Sequence, residues 1–461
     1  MKKYRFSKTY VGAFFYRFAF LLFVPLLQGF LFAKEGWQLL FTLYSTDLLV
    51  ITFLLSFAVI RCNKSKLLHS RIYTDVKSGV LLKTEEKTLK TKRCSFVFVR
   101  GIFLRLFGGC RLRIYSGNGF STAYIKNVDK KDILKDLLGE NISKNINSGI
   151  FRSLLMSASF SNALTGLLAA VPLIRRGSMI IGAHQTALLV EGASLEGILK
   201  FTGLPPLLSR VSVIIFFCWI IGFSNEFFGE YGLSFKKYSD FFMVSKGLIT
   251  KTQAVFSQNS IRGLVFRQSL LMFLLGFYSA EIKLNIKPRQ RIHILSAARA
   301  TACTDLQEEI YGKVFGNSKV YYPPKTAMLS YTYLPVMCFL LSSLTLILFS
   351  ENIIIKALAS VFSGIFAIWF LFRFFALFRS SLTVSAGFFQ VKYFSGMNFT
   401  RIIFKAEDVV NFEITQSLFQ IINGRCNVYF KVANAKAMKV RIKHLNIKDA
   451  LKIKEADPQF K

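Results

Sequence analysis

The side chains that most often do chemistry are sparse in these 461 residues. The histidines are His69, His184, His293 and His444. None has a metal-ligand neighbour at helical or loop spacing. A Gly-x-x-x-x-Gly-Lys-Ser/Thr phosphate loop is absent, as is a Gly-x-Ser-x-Gly nucleophile turn. Glu85-Glu86 and Glu308-Glu309 are adjacent pairs, so their carboxylates cannot share a helix face; they read as solvated charge. No catalytic residue, cofactor or metal is therefore expected. Three charges lie inside apolar runs: Arg17, Asp47 and Glu226. Asp47 is the deepest, roughly 20 Å from the end of its run at 1.5 Å per residue. It reads as a polar contact between helices, with an ion path as the alternative. Seven scattered cysteines without a Cys-x-x-Cys argue against a disulfide framework.

What the chain has in excess is positive charge. Lys and Arg total 60 against 25 Asp and Glu, a net +35. One cluster is Arg61, Lys64, Lys66 and Arg71; another is Lys436, Lys439, Arg441 and Lys443, on a strand-like run. Anionic headgroups attract such residues near a membrane by roughly 1 kcal/mol each. The competing reading is that they only set topology and solubility. Nucleic acid is not an expected partner, because the basic residues are spread over three segments without interleaved stacking aromatics.

The elements that would hold these residues follow from hydropathy. The chain is 52% hydrophobic, with mean hydropathy +0.42. A bilayer core needs about 20 apolar residues in a helix. Six runs qualify: Val11–Ala33, Leu39–Ile60, Ser153–Ile174, Val211–Phe228, Leu334–Phe349 and Ile354–Phe372. The third is the weakest, with several serines and Pro172. Basic residues beside the runs place the N-terminus and the long polar segments in the cytoplasm. The expected organisation is a helical hairpin at 1–60, a module at 61–152, a hairpin at 153–228 with a long outer loop, a module at 229–333, a hairpin at 334–372 and a module at 373–461. The fold class expected is an α+β membrane protein. It would have about six transmembrane helices in three hairpins, alternating with three small antiparallel β-rich modules, each with a C-terminal helix.

The polar segments look like repeats. Each has a strand-like run turning at a glycine, at Gly79, Gly247 and Gly387. Each then has a nine-residue stretch ending in glycine: Gly101 to Gly109, Gln268 to Gly276 and Gln416 to Gly424. The last two share Gln-Ser-Leu. A strand-like run follows each stretch, and helical spacing follows Asp129 and Asn446.

This pattern resembles the bacterial pleckstrin-homology-like membrane proteins of the YdbT type, whose modules carry a glycine turn and a Gln-x-x-Leu-x-x-x-x-Gly stretch. Gln268 to Gly276 and Gln416 to Gly424 match; Gly101 to Gly109 is degenerate. Pro323-Pro324-Lys325 is similar to the linker of that family. The resemblance implies a small antiparallel barrel or sandwich capped by a helix, no catalytic residues, and a suggested role in envelope protection.

The function expected is a non-enzymatic scaffold in the bacterial cell membrane. Its cytoplasmic modules would dock on anionic lipid, or on a partner such as a membrane protein of the same family or a second copy. The alternative is a transporter or export component with the modules as regulators, resting on Asp47 and the polar third run.

Overall fold

The computed structural model describes residues 2–13, 52–70, 72–78, 84–88, 91, 94–116, 119–139, 142–161, 206–284, 291–312, 314–316, 318–349, 351–385, 387–395, 398–433 and 438–456. The first repeat has β1 (Lys2–Arg5), β2 (Lys66–His69), β3 (Thr74–Ser78), β4 (Thr84–Thr88), β5 (Ser95–Arg100), α1 (Ile102–Leu106), β6 (Gly109–Ser116), β7 (Gly119–Lys126) and α2 (Asn127–Leu138). The second has β8 (Lys144–Asn147), α3 (Ile150–Phe160), α4 (Pro206–Glu230), β9 (Ser234–Lys237), β10 (Phe241–Lys246), β11 (Lys251–Ser257), β12 (Ile261–Gln268), α5 (Leu270–Leu274), β13 (Phe277–Leu284), β14 (Arg291–Arg299) and α6 (Ala300–Tyr311). The third has β15 (Lys319–Tyr321), α7 (Met328–Leu348), α8 (Ile353–Arg379), β16 (Ser381–Ser385), β17 (Phe388–Ser395), β18 (Asn398–Lys405), β19 (Val409–Thr415), α9 (Leu418–Ile422), β20 (Arg425–Val432), β21 (Met438–Asn446) and α10 (Ile447–Ala456). Each repeat is thus four strands, then three strands, then a helix.

The first strand of each repeat comes before the helical stretch, and the second comes after it. β1 pairs antiparallel with β2, β8 with β9 and β15 with β16. The helical stretch is therefore an insertion between neighbouring strands. Both its ends leave the same end of the sheet, so the helices of the third repeat are fastened to its sheet at two points. The first strands are three or four residues long, too short for a period-two pattern to reveal.

The expectation of three small, separate modules is overturned. The strands form two seven-stranded sheets, β7-β6-β5-β11-β10-β9-β8 and β14-β13-β12-β18-β17-β16-β15. A four-stranded sheet, β1 to β4, and a three-stranded sheet, β19 to β21, stand at the two ends. The cause is edge pairing between repeats. β5 pairs antiparallel with β11, Arg100 opposite Lys251; β12 pairs with β18, Gln268 opposite Phe399. The cores cross the seams accordingly. Val97 and Tyr115 of the first repeat join the core built around Phe235, Phe242 and Phe266 of the second. Val265 of the second joins the core around Phe389, Phe404 and Phe430 of the third.

The expectation of about six membrane-length helices in three hairpins is also overturned. Among the described residues two helical stretches, Lys325–Leu348 and Ile355–Arg379, are long and apolar enough to cross a membrane. They pack on each other as α7 and α8. The expected run at Ser153–Ile174 begins as α3, which ends at Phe160 because Ser161 leaves helical geometry (φ −61°, ψ 136°); eleven residues are far short of a span. The rest of that run, and most of Val11–Ala33 and Leu39–Ile60, lie outside the described residues, as does Asp47. Val211–Phe228 falls within α4. At 27 residues, α8 is roughly 40 Å long at 1.5 Å per residue. Most of its apolar face is exposed, for example Val361, Ile365 and Ile368.

Candidate functional site

β21 alternates Lys439-Val440-Arg441-Ile442-Lys443. Val440 and Ile442 are fully buried in the core of the third repeat, so the period of two puts the three cations together on the other face. The strand then bulges. Cys426 pairs with Leu445 and Val428 with Ile442, leaving Lys443 and His444 opposite Asn427. His444 takes a positive φ of 57°, a conformation that costs a non-glycine residue about 1 kcal/mol or more. Its ring holds the bulge in place: Nδ1 lies 3.0 Å from Nε2 of Gln420, and its backbone N–H donates to Oδ1 of Asn427 at 3.3 Å. Burial, with Lys443, Arg425 and Arg441 nearby, pushes the imidazole down to about 4. It is therefore neutral at pH 7 and adds no charge.

The cationic face of β21 looks onto the foot of the helical hairpin. A cavity of about 500 Å³ is lined by Lys439, Arg441 and Lys443, by Tyr331 of α7, by Trp369 and Arg373 of α8, and by Ser380 and Tyr393–Ser395. Tyr331 ties helix to strand: its hydroxyl donates to the Lys443 carbonyl at 3.3 Å, and its ring lies 5.4 Å from that of His444. Phe394, which lines the cavity, packs with Phe372 and Phe399 at centroid distances of 5.3 to 6.0 Å. Arg373 sits 5.7 Å from the Trp369 ring and Arg441 5.0 Å from that of Tyr429. No carboxylate is among the lining side chains. Among the described residues, the Nε groups of Arg373 and Arg441 are buried and meet no acceptor. Burial, reinforced by Arg441 and Arg373, pushes the Lys443 amine down to about 8. Four cations around an open cavity, two of them with a buried donor that meets no acceptor, form an arrangement that can hold an anion.

A second cavity, of about 410 Å³, shares Tyr393 and lies across the seam of the second and third repeats. Arg379, Lys392 and Arg401 line it, again without a carboxylate. Arg379 donates to Gln268 Oε1 at 3.1 Å and stacks 4.4 Å over Phe273. Arg401 donates to Gln390 at 2.7 Å and also bonds Gln307. Burial, then Arg401 and Arg379, lowers the Lys392 amine from its usual value.

Three of the four residues of the second basic cluster thus converge, while Lys436 lies outside the described residues. Of the first cluster, three members are described. Arg61 and Lys64 are exposed at the end of helical residues 52–64, and Arg71 lies outside the described residues. Lys66 sits in β2 between Arg5 and Lys77. Trp369, Tyr331 and Arg373 complete the site. An aromatic and a cation near the end of an apolar run are the usual signature of a membrane interface, the signal in the sequence by which they could have been found.

The repeat glycines fall in two kinds of place. Gly276 and Gly424 close α5 and α9 at positive φ (70° and 60°). In the first repeat that role falls to Gly108 (φ 64°), whereas Gly109 opens β6 against Thr9. Gly247 turns β10 into β11 at φ 99°. Gly387 turns β16 into β17, one hairpin earlier in its repeat; the glycine between β17 and β18 is Gly396. Gly79 and Gly396 lie outside the described residues. The motif glutamines do one job in two repeats: Gln268 Nε2 donates to the Phe277 carbonyl at 3.1 Å, and Gln416 Nε2 to that of Arg425 at 2.7 Å. No family model, curated protein or solved structure matches the chain.

Proposed function

We propose that the protein is a non-enzymatic scaffold, held in a membrane by the α7–α8 hairpin, that docks anionic lipid headgroups at its basic cavity. The observation that carries this is the cavity itself. Arg373, Lys439, Arg441 and Lys443 surround it without a carboxylate, at the foot of two helices long enough to span a bilayer. The positive charge around this foot supports a cytoplasmic location for it. Joined by their edges, the three repeats make one platform on which a partner protein can sit in a fixed orientation to the lipid.

The test is binding of a short-chain phosphatidylglycerol to the solubilised full-length chain, against the phosphatidylcholine of equal chain length. The anionic lipid should bind more tightly. Replacing Lys439, Arg441 and Lys443 together by glutamine should remove roughly 3 kcal/mol, about a hundredfold in affinity. Lys443 adds a pH signature. Raising the pH from 7 to 9 takes its amine through a value of about 8, so one positive charge is lost and affinity falls about fivefold. Lys443→Gln alone should flatten that profile. Equal affinity for the two lipids, or unchanged binding by the triple variant, would sink the proposal.

A further inference from the structure

The nine-residue stretches fold into short helical turns, and what these present is apolar. In α9, Leu418, Phe419 and Ile422 are 79%, 80% and 81% exposed. In α1, Leu106 is exposed by 74%, and Phe107 just after it by 67%. In α5, Leu274 is 72% exposed and Leu275 follows it, also exposed. Single exposed apolar side chains are ordinary. A contiguous group at the same place in each of three repeats is not scatter, and such groups mark contact surfaces.

The turns are built to hold these side chains out. Each lies between the fifth and sixth strands of its repeat, and each ends at a left-handed glycine, Gly108, Gly276 or Gly424. Gln268 and Gln416 bridge the base of the second and third turns. Ser269 caps α5, and Ser417 with Gln420 forms a capping box on α9. The backbone is thus fastened while the tip is left uncovered.

The second turn shows what lies against these tips. Phe273 of α5 packs 6.4 Å from Phe375 of α8 and 5.3 Å from Phe399, and Arg379 lies over its ring. Arg379 is the last residue of α8. On its other side α5 meets α3, through Met272 against Leu155 and Met156. The free tip of α5 therefore emerges where an apolar helix ends in a cation, Arg379. Leu274 and Leu275 follow Phe273 directly in the chain, so their exposed side chains lie close to this end of α8.

From this we infer that the three turns are membrane-dipping wedges. Their apolar tips enter the acyl region of the leaflet against which the platform rests, in the manner of interfacial apolar anchors. This rests on the reading that α7 and α8 cross the bilayer. It assigns a role to the motif stretches beyond turn geometry, and it fixes the tilt of the platform by three points rather than one.

The experiment places a photoreactive p-benzoylphenylalanine at Phe107, Leu274 or Phe419, or at exposed Glu407 as a control, in the full-length chain reconstituted in phospholipid vesicles. Lipid adducts are read by intact mass after irradiation, and carbonate extraction is run in parallel. Phospholipid adducts at all three apolar positions and not at Glu407 are expected. Adducts confined to Leu274 would overturn the claim for the other two repeats. A carbonate-resistant chain with no lipid adduct above the control would overturn the wedges while leaving the membrane reading intact, and adducts to protein instead would assign the tips to protein docking. Release of the chain by carbonate would bring down the membrane reading itself.

Discussion

Each seven-stranded sheet joins the last three strands of one repeat to the first four of the next, whereas among the described residues each end sheet is one such half alone. At the seams, β5 offers Phe96, Val97 and Phe98 to Val255, Ala254 and Gln253 of β11. At the same places, β12 offers Leu264, Val265 and Phe266 to Ile403, Ile402 and Arg401 of β18. The corresponding residues of β19 are Phe412, Glu413 and Ile414; among the described residues β19 pairs with β20 alone. At the other end β4 reads Thr-Glu-Glu-Lys-Thr and, among the described residues, pairs with β3 alone. Charge on an outer strand discourages further edge pairing. Among the described residues, the joined edges are thus the more apolar, and the outer ones carry carboxylates, Glu413 on β19 and Glu85 and Glu86 on β4.

The sharpest way to break that contrast is to truncate the side chain at the same position of a joined and of an open edge. Phe266 is 1% exposed, with the Arg401 guanidinium 5.4 Å over its ring. Phe266→Ala should cost about 3–5 kcal/mol, the usual range for a buried phenylalanine. Its counterpart Ile414 is half-buried on the open strand, so Ile414→Ala should cost about 1 kcal/mol. Urea unfolding of the solubilised full-length chain would measure both. Equal losses would mean that the seam is no more a part of the core than the outer edge.

Charge pairs divide in the same way. In the joined sheet Glu281 and Lys283 are almost fully buried and bonded to each other, with Arg267 3.4 Å from the carboxylate. In the end sheet Glu413 and Lys431 make their pair near solvent. Lys283→Met removes the bonded partner of a buried carboxylate and should cost about 3 kcal/mol. Lys431→Met should cost under about 1 kcal/mol. Acid sharpens the difference. Burial alone would raise the Glu281 carboxyl, but Lys283, Arg267 and His293 outweigh it and hold the group below the usual carboxylate range. Its contribution is present above the unfolded value and is lost as pH falls through the folded one. Wild-type stability should therefore drop on acidification, and part of that slope should vanish in Lys283→Met. A slope left unchanged would mean that the pair is not what holds Glu281 ionised.

Some of this was legible in the sequence. The alternation of Lys439, Arg441 and Lys443 with Val440 and Ile442 announces a strand with one cationic face, and the nine-residue stretches announce a repeat. What the cations face was not legible. Arg373 reaches them because a helical hairpin is inserted between β15 and β16, and β15 has three residues. The seams were hidden for a related reason. Periodicity reports which face of a strand is buried, whereas pairing of β5 with β11 depends on which edge is left over once each repeat has folded. Gly387 and Gly396 lie nine residues apart and both follow strand-like runs, so a spacing argument cannot choose between them. The register of β16, β17 and β18 does.

The smallest expected effect tests whether the first repeat is built as the others are. Gly101 stands at the N-cap of α1 with φ −72° and ψ 171°, nearly the backbone of Ser269 at the N-cap of α5, φ −73° and ψ 174°. Ser269 accepts from the Met272 N–H at 3.3 Å, whereas α1 has no side-chain cap bond. A Cβ at Gly101 would meet nothing within 4 Å. Serine should therefore fit and complete the missing cap. Gly101→Ser is expected to stabilise the chain by a few tenths of a kcal/mol, with a further gain from a less free unfolded chain. Ser269→Gly should lose a similar few tenths. If Gly101→Ser instead lowers stability by urea unfolding, the turn at α1 is not interchangeable with the one at α5. The first repeat then needs its glycine for a reason that the other two do not share.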